Sequence, residues 1–246
     1  MGKVVQLKKK DNKMPFQIKK GILKKSESII YKYQKKIEKL YSERIRIFDL
    51  YKYEDQLRNE GYSLITGIDE AGRGSLAGPV VAAAVILRGQ FFIPDIKDSK
   101  KLTSKKRTGL YYAILKKAID IGIGIVEANI IDNININQAS FLAMKRAILN
   151  LKIIPDYLLV DGFQIPHLKI SQIRLIKGED KSISIAAASI IAKVYRDQIM
   201  VKFDQKYPQY CFRKNKGYGT KEHFKALEKY GATEIHRKTY NRVITI

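Results

Sequence analysis

The sequence is poor in the features that mark exported or membrane-bound chains. It holds a single cysteine, Cys211, so neither a disulfide framework nor a cysteine-built metal site is available. No uninterrupted apolar run approaches the roughly 20 residues that cross a bilayer. The opening stretch Met1–Lys8 lacks the apolar core of a secretory signal, and no lipidation motif accompanies the charge. Acidic residues are also scarce, 24 Asp and Glu against 47 Lys and Arg, which leaves a formal charge of +23. A soluble, reduced, cytoplasmic protein with no membrane association is expected.

What is present points toward a polyanion. A field this basic attracts nucleic acid more often than any other partner. The many Ile, Lys and Asn residues offer a blander source, a lysine-rich composition, so charge alone favours nucleic acid only modestly. The chain has 246 residues, 45% of them hydrophobic, enough for one large domain or for one domain plus an appendage. The charge is uneven: residues 1–50 hold 15 Lys and Arg against 5 Asp and Glu. The first two dozen residues, with Lys8-Lys9-Lys10 and Lys19-Lys20, show little periodicity and read as a basic arm. From Ser26 to Asn59 the apolar residues Ile30, Tyr33, Ile37, Leu40 or Tyr41, Phe48 and Tyr51 recur at helical spacing. One long helix with room for a kink is predicted, capped at Ser26 or Ser28 and closed by Gly61. Residues 1–61 form the predicted basic helical extension, and 62–246 the main domain.

Beyond Tyr62 strands come first and then alternate with helices. Ser63–Asp69 and Val80–Leu87 read as paired strands around a glycine-rich turn, with a further strand over Phe91–Ile93. Thr103 caps a helix through Asp120, and Ile121–Glu127 is a strand in which Gly122-Ile123-Gly124 needs no nucleotide-binding explanation. A helix over Gln138–Leu151 precedes the strand Tyr157–Val160, and a shorter strand covers Gln172–Ile176. A deeply packed helix runs from Ser182 to about Lys206, and Thr220 caps a last one ending at Gly231. The class is α/β, a mixed sheet covered by helices.

Carboxylates stand where such a sheet does chemistry. Asp69 and Glu70 end an apolar strand before a glycine turn, and Asp161 ends another before Gly162. Neighbouring strand residues point to opposite faces, so the turn after Asp69 must bring Glu70 round if the two share a site. A charged residue ending a buried strand is also the ordinary first solvated position. Asp197 lies on an apolar helix, one stripe with Ala186, Ile190, Lys193 and Val201. It is either a ligand or half of a surface pair with Lys193. Four carboxylates on three separate elements, with no Cys or His cluster, suit a hard cation such as Mg²⁺ or Mn²⁺. Two such ions ~3.5–4 Å apart support in-line displacement at phosphorus. The chemistry alone reaches a metal-dependent phosphodiesterase acting on nucleic acid.

The stretch Gly67-Ile68-Asp69-Glu70-Ala71-Gly72-Arg73-Gly74 with Leu76-Ala77-Gly78-Pro79 resembles the opening motif of bacterial ribonuclease HII. Matching stretches follow in the family's order from about residue 62 to 246. They are Asp98–Leu102, Val160-Asp161-Gly162, Lys177-Gly178, Ala187–Val194 with Arg196-Asp197, Lys216–Thr220 and His236-Arg237. The resemblance implies a ribonuclease H-like fold with Asp69, Glu70, Asp161 and Asp197 as metal-binding acids. It implies hydrolysis of RNA paired with DNA, and incision 5′ of single ribonucleotides in duplex DNA, leaving a 3′-hydroxyl and a 5′-phosphate. It assigns Gly72-Arg73-Gly74 to the ribose 2′-hydroxyl and Tyr218 to the deoxyribose beside it, with Lys100 and Lys193 as phosphate or active-site contacts. Ser75 departs from the proline many relatives carry, and residues 1–61 lie outside the match.

Rival readings are another ribonuclease H-fold nuclease, such as a DNA resolvase or ribonuclease HIII, and a basic DNA-binding protein with structural acids. Gly72-Arg73-Gly74 together with Tyr218 speaks against the two nucleases. His167, His223 and Cys211 are expected to have packing or incidental roles. A monomer is expected, and a sliding clamp is left open as a recruiter.

Overall fold

The computed structural model describes residues 16–90, 92–96 and 99–244. The helix α1 (Phe16–Leu50) begins at Phe16 rather than near Ser26, so part of the expected arm is helical; residues 1–15 lie outside the described residues. A break at the buried Tyr51 separates α1 from α2 (Lys52–Asn59). Gly61 closes α2 at φ +98°, its N–H donating to the Arg58 carbonyl at 3.0 Å. Two compact units divide the chain, Met1–Ile45 and Arg46–Ile246. In the first, the apolar positions Ile30, Tyr33, Ile37 and Tyr41 stay exposed, because among the described residues of that unit only the helix itself is present. In the second, Ile47, Leu50 and Tyr51 are buried in the core.

The second unit is built on a five-stranded sheet in the order β3-β2-β1-β4-β5. Its strands are β1 (Ile65–Ala71), β2 (Val80–Leu87), β3 (Ala118–Val126), β4 (Tyr157–Asp161) and β5 (Ser171–Leu175). The first three pair antiparallel; β1–β4 and β4–β5 pair parallel. All eight residues of β2 are buried, the apolar run of a strand covered on both faces. On one face Ala83, Val85 and Leu87 pack with helices α3 (Ser104–Lys117) and α5 (Ile183–Lys206). On the other, Val80, Ala82 and Ala84 pack with α4 (Ala128–Leu149). Side-chain oxygens of Thr103 and Ser182 accept N–H groups at the starts of α3 and α5, as capping chemistry predicts.

Three expectations need correction. No strand forms at Phe92–Ile93, where a turn through Pro94-Asp95, with Asp95 at φ +64°, interrupts extended pairing; Phe91 lies outside the described residues. Helix α3 stops at Lys117 because β3 takes over at Ala118. A helical segment from Ala128 precedes the expected helix, the two joined at Asn135 (φ +65°), whose side chain accepts the N–H groups of Asn137 and Gln138. Short helices α6 (Phe212–Asn215) and α8 (Asn241–Ile244) flank α7 (Lys221–Tyr230), which starts after Thr220 as expected.

The end of the extension is locked to this unit by an unusual cap. The buried Glu54 of α2 accepts the Ser182 and Ser184 hydroxyls at 2.6 Å each and the Ser184 N–H at 3.0 Å, at the start of α5. The positive end of the helix favours an anion there. Close packing of α5 on β1 also explains Gly67, where a Cβ would overlap the backbone of Ser184 and Ile185. Among the described residues no helix is long and apolar enough to cross a membrane.

Candidate active site

Parallel pairing of β1 with β4 brings the first two strand-end acids together. Ile68 pairs with Val160, so Asp69 and Asp161 stand next in line on adjacent strands. β1 runs on to Ala71 rather than turning after Asp69, yet Asp69, Glu70 and Asp161 all line one cavity of about 560 Å³. Asp69 accepts the Glu70 N–H at 2.7 Å and a bond from Ser189. Burial pushes its carboxyl well above the usual range, and the charges of Glu70 and Asp161 push the same way. Burial lifts Glu70 to about 7, opposed by Arg73, whose Nη1 lies 3.5 Å from Oε1, and by Lys100. The other oxygen, Oε2, is buried with no hydrogen-bond partner among the described residues. Asp161 accepts the Gly178 N–H at 2.7 Å.

Asp197 stands apart from these three. It borders an adjoining cavity of about 350 Å³, with Lys193 Nζ 2.8 Å from one oxygen and Arg107 Nη1 3.3 Å from the other. The pair with Lys193 foreseen as the bland alternative does form, with side chains only 15% and 17% exposed. Among the described residues no three Asp, Glu, His or Cys side chains converge closely enough to hold a metal ion as they stand. The donor set nonetheless fits a hard divalent cation. It is all carboxylate oxygen, one buried oxygen lacks a partner, and Asp69 is crowded by two like charges. Asp197, bonded to Lys193 and Arg107, is not part of that set as it stands.

Another wall of the same cavity is formed by Gly72, Arg73 and Gly74 with Tyr218. The two glycines serve different ends. Gly72 has φ +97°, and a Cβ there would overlap the Arg196 side chain; around Gly74 nothing lies within 4 Å of where a Cβ would stand. Gly74 is therefore the open face of the turn. The Arg73 guanidinium is engaged by Asn137 Oδ1 at 2.7 Å and lies over the Phe163 ring at 4.7 Å. Tyr218, 37% exposed, has Lys193 Nζ 5.3 Å and the Arg196 guanidinium 5.5 Å from its ring centre. Lys100 and Lys193 line the acid cavity; Asp98 lies outside the described residues.

Sequence reasoning missed several neighbours. Arg107 lines both cavities and pairs with Asp197, yet nothing in its local pattern distinguishes it from other basic residues of α3. Ser99 and Ser189 line the acid cavity, their hydroxyl oxygens 3.0 Å apart; both lie inside the motifs named above without having been singled out. The scattered His223 and His236 meet in the core with ring nitrogens 3.0 Å apart. Burial lowers both, His236 to about 4. Cys211 is exposed and outside the cavity.

A mixed sheet with helices on both faces, carboxylates side by side on two adjacent parallel strands and basic side chains lining the same cavity is the architecture of the ribonuclease H-like enzymes. The chain belongs to the ribonuclease HII family, whose model matches residues 66–243. It is 55% identical over 190 residues to ribonuclease HII of Caldicellulosiruptor bescii, covering 77% of this chain and 92% of that one. It is 49% identical over 233 residues to ribonuclease HII of Bacillus subtilis (strain 168), covering 94% and 91%. A solved structure, that of the PCNA:RNase HII complex from Archaeoglobus fulgidus, aligns with a TM-score of 0.62 at 26% identity, covering 73% of this chain and 96% of that one. The chain is thus a ribonuclease H, a hydrolase acting on the RNA of RNA–DNA hybrids.

Proposed function

We propose that the chain also incises duplex DNA on the 5′ side of a single embedded ribonucleotide, leaving a 3′-hydroxyl and a 5′-phosphate. The observation that carries this reading is the shared cavity, with acids on one wall and an open glycine turn beside Tyr218 on the other. Residues 62–246 form the catalytic portion in this reading. Asp69, Glu70, Asp161 and Asp197 are the residues that would hold divalent cations, Mn²⁺ or Mg²⁺, which when bound supply an activated water and neutralise the leaving oxygen.

The chain's own groups do the selecting. Gly74 lets a sugar approach the backbone, where a 2′-hydroxyl can exchange hydrogen bonds that deoxyribose cannot. Arg73 contributes its backbone, because its side chain is held by Asn137 and Phe163 and shields Glu70. The exposed Tyr218 ring packs against the neighbouring deoxyribose in this reading. Lys100 and Lys193 meet phosphate, and the basic surface contributes a salt-sensitive grip on both strands.

Incubating the protein with Mg²⁺ or Mn²⁺ and a duplex holding one ribonucleotide should give a single nick at its 5′ side. Asp69→Asn should slow that nick roughly thousandfold or more while duplex binding persists. Equal cutting of an all-DNA duplex would sink the ribose reading in favour of another nuclease of this fold. No nick by a chain that still cuts an RNA–DNA hybrid would sink the single-ribonucleotide reading.

A further inference from the structure

The His236-Arg237 motif near the end of the chain is far in sequence from the acids and touches none of them. Arg237 and Arg196 are both fully buried. Such a cation costs several kcal/mol to desolvate unless its donors are met. Among the described residues none of their hydrogen bonds goes to a carboxylate. Arg237 Nη2 donates to the Gly72 carbonyl at 2.6 Å and to that of Gly78 at 3.0 Å, and Nη1 donates to that of Arg73 at 2.7 Å. Tyr240 completes the clamp: its hydroxyl accepts from Arg237 Nη1 and donates to the Arg73 carbonyl, each at 3.0 Å. Arg196 donates to the carbonyls of Pro79 at 2.9 Å, Ala77 at 3.1 Å and Lys216 at 3.0 Å. It thereby joins the segment after the turn to the loop that carries Tyr218.

A planar guanidinium fixes the directions of the carbonyls it binds, which a flexible ammonium does not. In a trans peptide the N–H points opposite to the carbonyl of the same unit. Drawing the Gly72 and Arg73 carbonyls onto Arg237 therefore turns the N–H groups of Arg73 and Gly74 the other way, and these residues line the cavity. Gly72 is a glycine for the same reason, since a side chain there would displace Arg196.

We propose that Arg237, assisted by Tyr240 and Arg196, is a positioning residue for ribose recognition. It sets the backbone of Gly72-Arg73-Gly74 from behind and presents its amides to the sugar. This rests on the reading of that turn as the ribose sensor. The test compares kcat/KM for a duplex carrying one ribonucleotide with that for the same duplex carrying a 2′-fluoro nucleotide at that position. A variant that merely loses folded protein lowers both values equally and leaves their ratio unchanged. Arg237→Lys should lower the ratio roughly tenfold or more, the scale at which small misplacements cost rate. Tyr240→Phe, which keeps the buried cation and folds more readily, should lower it in the same direction by a smaller factor. Gly74→Ala, which adds a methyl in open space, is the control for the underlying reading and should lower it too. If Gly74→Ala lowers the ratio while Arg237→Lys and Tyr240→Phe do not, the clamp is overturned and the sensor stands. If Gly74→Ala leaves it unchanged, the sensor reading fails and the inference falls with it.

Discussion

The two walls of the cavity solve opposite problems. On the acid wall, Asp69 and Glu70 are buried near Asp161, their carboxyls raised by desolvation, and one Glu70 oxygen has no partner. On the reading wall, each side-chain nitrogen of two buried arginines donates to an oxygen, and the turn in front of them is held at several points. The first wall is under charge strain that a cation can relieve. The second is satisfied before any ligand arrives. Chemistry is left to a wall that needs a partner, and discrimination to one that is preorganised.

The largest effect that would break this contrast is steric. Gly72→Ala places a Cβ within the buried Arg196 side chain at a positive φ, so unfolding free energy should fall by about 3 kcal/mol or more. Gly74→Ala should leave the melting temperature nearly unchanged. Equal destabilisation of both would mean the turn is not held from behind as described.

A comparable effect should appear on the acid wall as pH dependence. Glu70 is raised from 4.5 to about 7, so the folded state holds that proton more tightly than the unfolded chain. The associated stability is fully present below pH 4.5 and is lost as pH rises through about 7, a change of about 3 kcal/mol. Thermal melts without divalent cation should show this decline, with Glu70→Gln flattening it. Added Mg²⁺ or Mn²⁺ should restore stability at pH 8 in the wild type more than in the variant. A flat wild-type profile would remove the charge strain from the comparison.

The smallest effect concerns residues outside both walls. Each wall residue lies in the Arg46–Ile246 unit. A chain lacking residues 1–45 should keep kcat, while its duplex affinity varies less steeply with salt because basic residues are lost. Unchanged salt dependence would show that the basic segment does not grip substrate.

Much of this was legible in the one-dimensional pattern. Val80–Leu87 and Tyr157–Asp161 are short apolar runs between turn residues, and both form strands within a residue of the expected bounds. Thr103, Ser182 and Thr220 stand where capping chemistry requires, and three helices start beside them. The Asn135 break was not legible, because one side chain bonding its own backbone leaves no periodic trace. Periodicity between Ile30 and Tyr41 marked a helix without settling its burial, since a stripe shows that a face exists and not that anything covers it.

By itself the sequence determined the chemistry available: acids near strand ends, a glycine-arginine-glycine turn, an excess of basic charge and no Cys or His cluster. Tertiary structure alone decided which of those groups meet. Parallel pairing of β1 with β4 put Asp69 beside Asp161, residues far apart in the chain, while Lys193 and Arg107 took Asp197. It also set Arg237 behind Gly72 and Arg73, because a buried guanidinium must find oxygens wherever the fold supplies them.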